Sequence, residues 1–252
     1  MRAALESLLR ARKLDVTIAP FGPGGEPLSP ALDQARVAPT GVASLDAALG
    51  GGLRRGHLSD IAGTPSSGRT TLVVGALAAA TSRGEAVALV DTCDTFDPAS
   101  AGAHGVDLSH LLWVRPAPAP GGAVASAVKA FSLVLQAGGF GLAVFDLADA
   151  APAALRGLPS TTWMRLARIV EGSDTVALLV GADRLARSAG GATIACETAV
   201  VEWRGAAHRA RVFTGIDPVP RVVGPAAARV SIPSSSGEVS PKPLRGEGGG
   251  LK

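Results

Sequence analysis

GVASLDAALGGGLRRGHLSDIAGTPSSGRTTL, residues 41–72, is the stretch from which the fold can be read. Inside it, Gly63-Thr64-Pro65-Ser66-Ser67-Gly68-Arg69-Thr70-Thr71 follows a strand-like run, Leu58 to Ala62, and opens a helical run, Thr70 to Ala80. Strand, glycine-bounded loop and helix in that order make a phosphate-binding loop. The glycines let backbone N–H groups converge on an anion at a helix N-terminus. The pattern G-x-x-x-x-G-K-[ST] asks for Lys where this chain has Arg69. The charge is kept, but a compact rotatable ammonium has become a planar fork. Residues 63–71 are therefore the candidate nucleotide-binding residues, and whether the loop still works as one is a separate matter from its architecture.

Working outward, 252 residues with 47% hydrophobic and 18% charged side chains suffice for one sizeable α/β core with appendages. The net charge of +3 and a pI near 9.3 point toward an acidic partner only weakly, because the charge is diluted over the whole chain. Cys93 and Cys196 are too few for a disulfide framework and lack metal-ligand spacing, so a reduced cytoplasm and no membrane association are expected.

Residues 3–14, AALESLLRARKL, place Leu5, Leu8 and Leu9 near one helical face with Arg10, Arg12 and Lys13 opposite. A Pro- and Gly-rich linker over residues 20–39 separates this helix, which with a short strand occupies residues 1–19, from the rest. Set apart in this way, Leu5, Leu8 and Leu9 are candidates for partner docking or self-association. From Gly41 onward, a short helix Ser44–Leu49 precedes strands at Leu58–Ala62, Val87–Val90, Leu111–Val114 and Leu142–Phe145, with a helix at Ala123–Ala137. Trp163–Val170 reads as a helix and Thr175–Val180 as a buried strand, while Thr198–Trp203 with Arg211–Thr214 reads as an antiparallel edge pair. Strands separated by helices mean a mainly parallel, doubly wound sheet in an α/β core over residues 40–217. The pattern decays beyond Pro218, so residues 218–252 are an extension, and the Ser-, Pro- and Gly-rich stretch from residue 231 is expected to be disordered.

Over residues 40–204 the chain resembles the RecA family of strand-exchange ATPases. The resemblance rests on Thr40-Gly41, Ser44-Leu45-Asp46, Ala48-Leu49-Gly50, Gly52-Leu53, Gly56, Ile61, Gly63, Ser66-Ser67-Gly68 and Thr70-Thr71-Leu72. It continues in Asp91, Asp97-Pro98, Gly105-Val106-Asp107, Leu111-Leu112 and Asp146. It implies a RecA-like phosphate-loop core using ATP and Mg²⁺, with Asp146 and the Thr70 hydroxyl as the tentative Mg²⁺ residues. Asp91, Asp94 and Asp97 form a further acidic group, expected to be a solvated loop.

Four positions depart from what the family implies. Arg69 replaces the loop Lys, and Cys93 stands where the family has the Glu that activates water. Ala182 stands where a Gln senses the terminal phosphate, and Ala99 and Ser100 follow Asp97-Pro98 where an adenine-stacking ring is expected. A thiol is a poor substitute for a carboxylate base, so no catalytic residue is assigned and turnover is expected to be absent or very weak. The DNA loops implied by the family correspond to Leu147–Thr162 and Asp183–Thr198. They offer Arg156, Arg184 and Arg187 as contacts and no aromatic platform, so direct DNA binding is expected to be weak or absent.

A RecA-like core with altered chemistry, a separate N-terminal helix and a polar tail is most similar to the ImuA group, accessory proteins of damage-induced (SOS) mutagenesis. That resemblance implies a DNA-repair adaptor in translesion synthesis, with an ImuB-like protein, an error-prone polymerase and RecA as partners. The alternatives are an active DNA-dependent ATPase or recombinase of the RecA family, with an Asp of residues 91–97 replacing the missing Glu, and a regulatory RecA-fold protein with a non-DNA partner.

Overall fold

The computed structural model describes residues 36–117, 122–186, 190–205 and 211–223. The expected N-terminal helix with Leu5, Leu8 and Leu9, the polar tail and Arg187 lie outside the described residues.

In chain order the elements are β1 (Val37–Ala38), α1 (Ala43–Leu49), β2 (Leu53–Arg54), β3 (Leu58–Gly63), α2 (Arg69–Ser82), β4 (Val87–Asp91) and α3 (Pro98–Ala103). They are followed by β5 (Leu111–Val114), α4 (Ala123–Ala137), β6 (Leu142–Asp146), α5 (Pro152–Arg156), α6 (Thr161–Val170), β7 (Val176–Gly181), β8 (Thr193–Arg204) and β9 (Val212–Val223). Seven strands form one sheet in the order β5-β4-β6-β7-β3-β8-β9, parallel except for the antiparallel β8–β9 pair. This is the expected mainly parallel, doubly wound α/β sheet.

The central strands are mostly apolar because both faces of the sheet are covered. VALVD of β4 and VALLVG of β7 are buried at every position. On one face, Leu72, Val73, Ala76, Leu77 and Ala80 of α2 pack with Ile61, Leu89, Val144 and Leu178. On the other, Phe131 and Leu135 of α4 and Leu166 and Val170 of α6 pack with Leu58, Val90, Phe145 and Leu179. Phe131 and Phe145 stack there with ring centroids 4.9 Å apart.

Two departures from the sequence reading have simple causes. The β8–β9 hairpin is longer than the expected edge pair, running to Val223 through Pro218 and Pro220. A proline cannot donate to a ladder, which is why the pattern seems to end there, but β9 is an edge strand and has one side free of that demand. At the other end, Val37–Ala38 pairs with Leu53–Arg54, so structure begins inside the stretch read as linker.

Parallelism has the consequence that matters for function. The carboxyl ends of β3, β4, β6 and β7 all open on one edge of the sheet, so the loops after them converge.

Candidate functional site

The loop between β3 and α2 is built for close approach of backbone to an anion. Gly68 caps α2 at φ 87° and Ser66 is at φ 63°, both in the left-handed region. At Gly63 a Cβ would press into Ser67 Oγ and lie 2.7 Å from the Cys196 carbonyl oxygen, so only glycine fits. Ser67 Oγ is buried and has no hydrogen-bond partner among the described residues. An orphan hydroxyl beside a glycine cradle at a helix N-terminus fits a phosphate oxygen.

Arg69 is where the fit changes. Its side chain is 7% exposed and turns back under the loop, with Nη1 donating to the Gly63 carbonyl oxygen at 2.5 Å. Nη2 donates to Asp149 Oδ1 at 3.0 Å. The cation that a phosphate would meet is thus already paired within the chain. Asp149 belongs to the turn after β6, within the stretch Leu147–Thr162 read as a DNA loop, where the sequence singled out Arg156 and not Asp149.

A pocket of about 420 Å³ opens beside this pair. Thr70, Thr71, Asp146 and Asp149 line its polar side, and Leu89, Phe96 and Ala101 are among its apolar walls. Asp146 and Thr70 open onto the same pocket, so a cation accompanying a bound phosphate would meet both. No group of three or more His, Cys, Asp or Glu side chains placed to hold a metal occurs among the described residues. Burial pushes the Asp146 carboxyl above its ordinary value, opposed by the Ala148 N–H donating to Oδ1 at 2.9 Å and by Arg69, and reinforced by Asp91 and Asp149.

Of the acidic group at the end of β4, expected from sequence to be a solvated loop, Asp94 and Asp97 are exposed and Asp91 is not. Asp91 is 2% exposed and organises residues 92–97. Its Oδ1 accepts from the Thr95 N–H at 3.1 Å, and its Oδ2 from the Phe96 N–H at 2.9 Å and from Trp113 Nε1 at 3.3 Å. Asp97 caps α3 through the Ala99 and Ser100 N–H groups. Asp94 and Asp97 are both exposed, Asp94 lying 3.5 Å from Arg115, which lies over the Trp113 ring. All three carboxylates thus already have structural partners.

Cys93, in the place of the expected water-activating Glu, is exposed beside this network. Burial raises its thiol pKa above the ordinary value, and the neighbouring Asp149, Asp146 and Asp91 carboxylates raise it further. A thiol held protonated among three carboxylates cannot take a proton from water near neutral pH. Ala182 lies exposed at the end of β7 with no polar group to offer. Ala99 and Ser100 start α3, and Ser100 lines the pocket. The aromatic wall comes instead from Phe96, one residue before Asp97, held edge-on against Trp113 with centroids 5.4 Å apart.

Of the expected DNA contacts, Arg156 is exposed at the end of α5. Arg184 follows β7, with Nη2 donating to Thr193 Oγ1 at 3.4 Å. Thr193 Oγ1 in turn donates to the buried Asp60 Oδ1 at 2.6 Å. Asp60 lies mid-strand in β3, and its other oxygen has no hydrogen-bond partner among the described residues. Burial raises its pKa, and the Thr193 bond and the Arg184 charge work against that. Part of the Arg184 charge therefore faces inward rather than toward a ligand. No helix among the described residues is long and apolar enough to cross a membrane.

Comparison with known proteins agrees with this architecture. The RecA N-terminal domain family matches residues 29–155. Protein RecA of Synechocystis is 46% identical over 77 residues, 31% of this chain and 22% of its own length. Protein RecA of Chlorobaculum tepidum is 48% identical over 82 residues, 32% of this chain and 24% of its own. The chloroplastic DNA repair protein recA homolog 1 of Arabidopsis thaliana is 44% identical over 77 residues, 31% of this chain and 18% of its own. The aligned segments span about a quarter or less of these relatives. With the family match covering half of the 252 residues and a glycine-cradled loop leading from the sheet into α2, this chain belongs to the RecA family.

Proposed function

We propose that this chain is a catalytically degenerate RecA-family accessory protein of the bacterial DNA damage response, acting by docking rather than by turnover. The observation that carries this reading is Cys93: at the position expected to activate water stands an exposed thiol, which near neutral pH is a far poorer proton acceptor than a carboxylate. Loss of a positioned base typically forfeits ~10²–10⁴-fold in rate. Arg69, paired with Asp149, and the apolar Ala182 point the same way. ATP and Mg²⁺, the family's cofactors, are bound weakly through residues 63–71, Thr70 and Asp146.

By its likeness to the ImuA group, its partners are an ImuB-like protein, an error-prone polymerase and RecA, with Leu5, Leu8 and Leu9 as the docking face. Arg156, Arg184 and Arg187 give at most weak DNA contact. The second reading, an active DNA-dependent ATPase, is favoured by one observation: the phosphate loop keeps its glycine cradle, and Thr70 and Asp146 open onto one pocket.

The test is steady-state phosphate release from ATP with and without single-stranded DNA, comparing the parent with Asp146→Ala and with the pair Arg69→Lys plus Cys93→Glu. The adaptor reading expects background release from the parent and a gain in the pair. DNA-stimulated release from the parent that disappears in Asp146→Ala overturns it in favour of the ATPase.

A further inference from the structure

We infer that Asp149 restrains anion binding at this site: paired with Arg69, its carboxylate serves as an internal anion that a polyphosphate must displace in order to bind. The inference deepens the reading of residues 63–71 as a phosphate loop and rests on it.

Three observations carry it. First, Arg69 is the sole side chain by which this loop could present a full positive charge to a phosphate, and both its terminal nitrogens are engaged, one by Gly63 O and the other by Asp149. An Arg–carboxylate contact at 3.0 Å is a charge-assisted hydrogen bond, and Arg offers a phosphate the same donors. Second, the position of Asp149 is imposed by its backbone. Leu147 N–H donates to Val180 O at 2.9 Å, Ala148 N–H to Asp146 Oδ1 at 2.9 Å, and Ala150 N–H to Leu147 O at 3.1 Å. Leu147, Ala148 and Ala150 are all buried, while the side chain of Asp149 is half exposed and lines the pocket. The flanking chain is anchored on both sides and projects this one carboxylate at the loop's cation. Third, the pocket is also lined by Asp97 and Asp146, so Asp149 adds a further negative group on the path of a polyanion, where like charges repel.

A carboxylate that merely oriented Arg69 for phosphate would have the opposite consequence, and the two roles separate in one experiment. The full chain, Asp149→Asn and Asp149→Ala are titrated by calorimetry with inorganic pyrophosphate, a probe that needs no base subsite, and separately with ADP. Releasing one charge-assisted contact and one like charge should tighten pyrophosphate binding roughly 10- to 100-fold in both variants. Adding Arg69→Ala to Asp149→Asn should remove the gain. Equal or weaker pyrophosphate binding in both Asp149 variants, including no detectable binding by any of the proteins, overturns the inference. So does a gain that survives loss of Arg69. Because the readout is binding, an active ATPase would refute the adaptor reading without touching this one.

Discussion

Replacing Asp91 by Ala should cost this fold far more than its place in an acidic loop suggests. The carboxylate is 2% exposed and accepts from two backbone N–H groups, of Thr95 and Phe96, and from Trp113 Nε1. Truncation leaves three donors without their acceptor in a partly buried setting. Hydrogen bonds to a charged group contribute about 1.5–3 kcal/mol each, and an unmade one costs about 1–3 kcal/mol, less wherever water enters. The buried carboxylate carries its own desolvation cost, which the mutation removes. The balance is a loss of about 3 kcal/mol, which for a protein of this size lowers the melting temperature by ~6–12 °C. Asp94→Asn is the internal comparison, since Asn tolerates the left-handed backbone there (φ 57°) and the change breaks only a 3.5 Å pair whose two side chains are both more than half exposed. That change should stay within ~0.5 kcal/mol. Thermal melts by circular dichroism read the stability, and tryptophan emission reports whether Trp113 has lost its partner. Should Asp91→Ala melt within ~2 °C of Asp94→Asn, Asp91 does not hold the loop and the pocket wall at Phe96 has some other support.

Two further outcomes follow from the titratable groups. The Asp146 carboxyl is raised from 3.8 by burial, with Asp91 and Asp149 adding to it, so the folded state binds its proton more tightly than the unfolded chain does. Stability tied to this group is therefore greatest at low pH and falls as pH rises from about 3.8 through the raised folded value. Asp146→Asn should melt higher than the parent at neutral pH and lose that advantage below about pH 4. A gain that persists undiminished in acid would show another cause. Cys93 is exposed with a raised pKa, whereas Cys196 is buried with its thiol pushed up to about 11. A chromogenic disulfide near pH 8 should thus label one thiol per folded chain, more slowly than free cysteine, and reach the second only in denaturant. Rapid labelling of both would contradict the buried position of Cys196 against the phosphate loop.

Local patterns were legible where the physics is local. Parallel strands buried on both faces must be continuous apolar runs, so Val87–Asp91 and Leu142–Asp146 stand out, and the helix Ala123–Ala137 shows its apolar repeat with the same ends in sequence and structure. The glycine spacing of residues 63–68 announces the loop because the backbone there needs the left-handed region at Gly68 and has no room for a Cβ at Gly63. Asp91 was misread as solvated because its partners come from two places, the loop ahead of it and Trp113 on the neighbouring strand β5.

By itself, then, the amino-acid sequence determined the doubly wound architecture and the glycine-bounded loop with Arg69 at its end, since each depends on residue type and on spacing within a few turns of chain. Tertiary structure alone decided what those residues do together. It set Asp149 against Arg69 across 80 positions and buried Asp60 beside Thr193 across 133. It also turned Phe96 into the pocket wall. Such pairings depend on which strand ends the sheet order brings side by side, and with β7 between β3 and β6, chain order does not reveal that the turn after β6 meets the loop after β3. The electrostatic state of the loop's cation follows from that meeting, because a charge is screened or satisfied by what lies within a few ångströms of it, however distant along the chain.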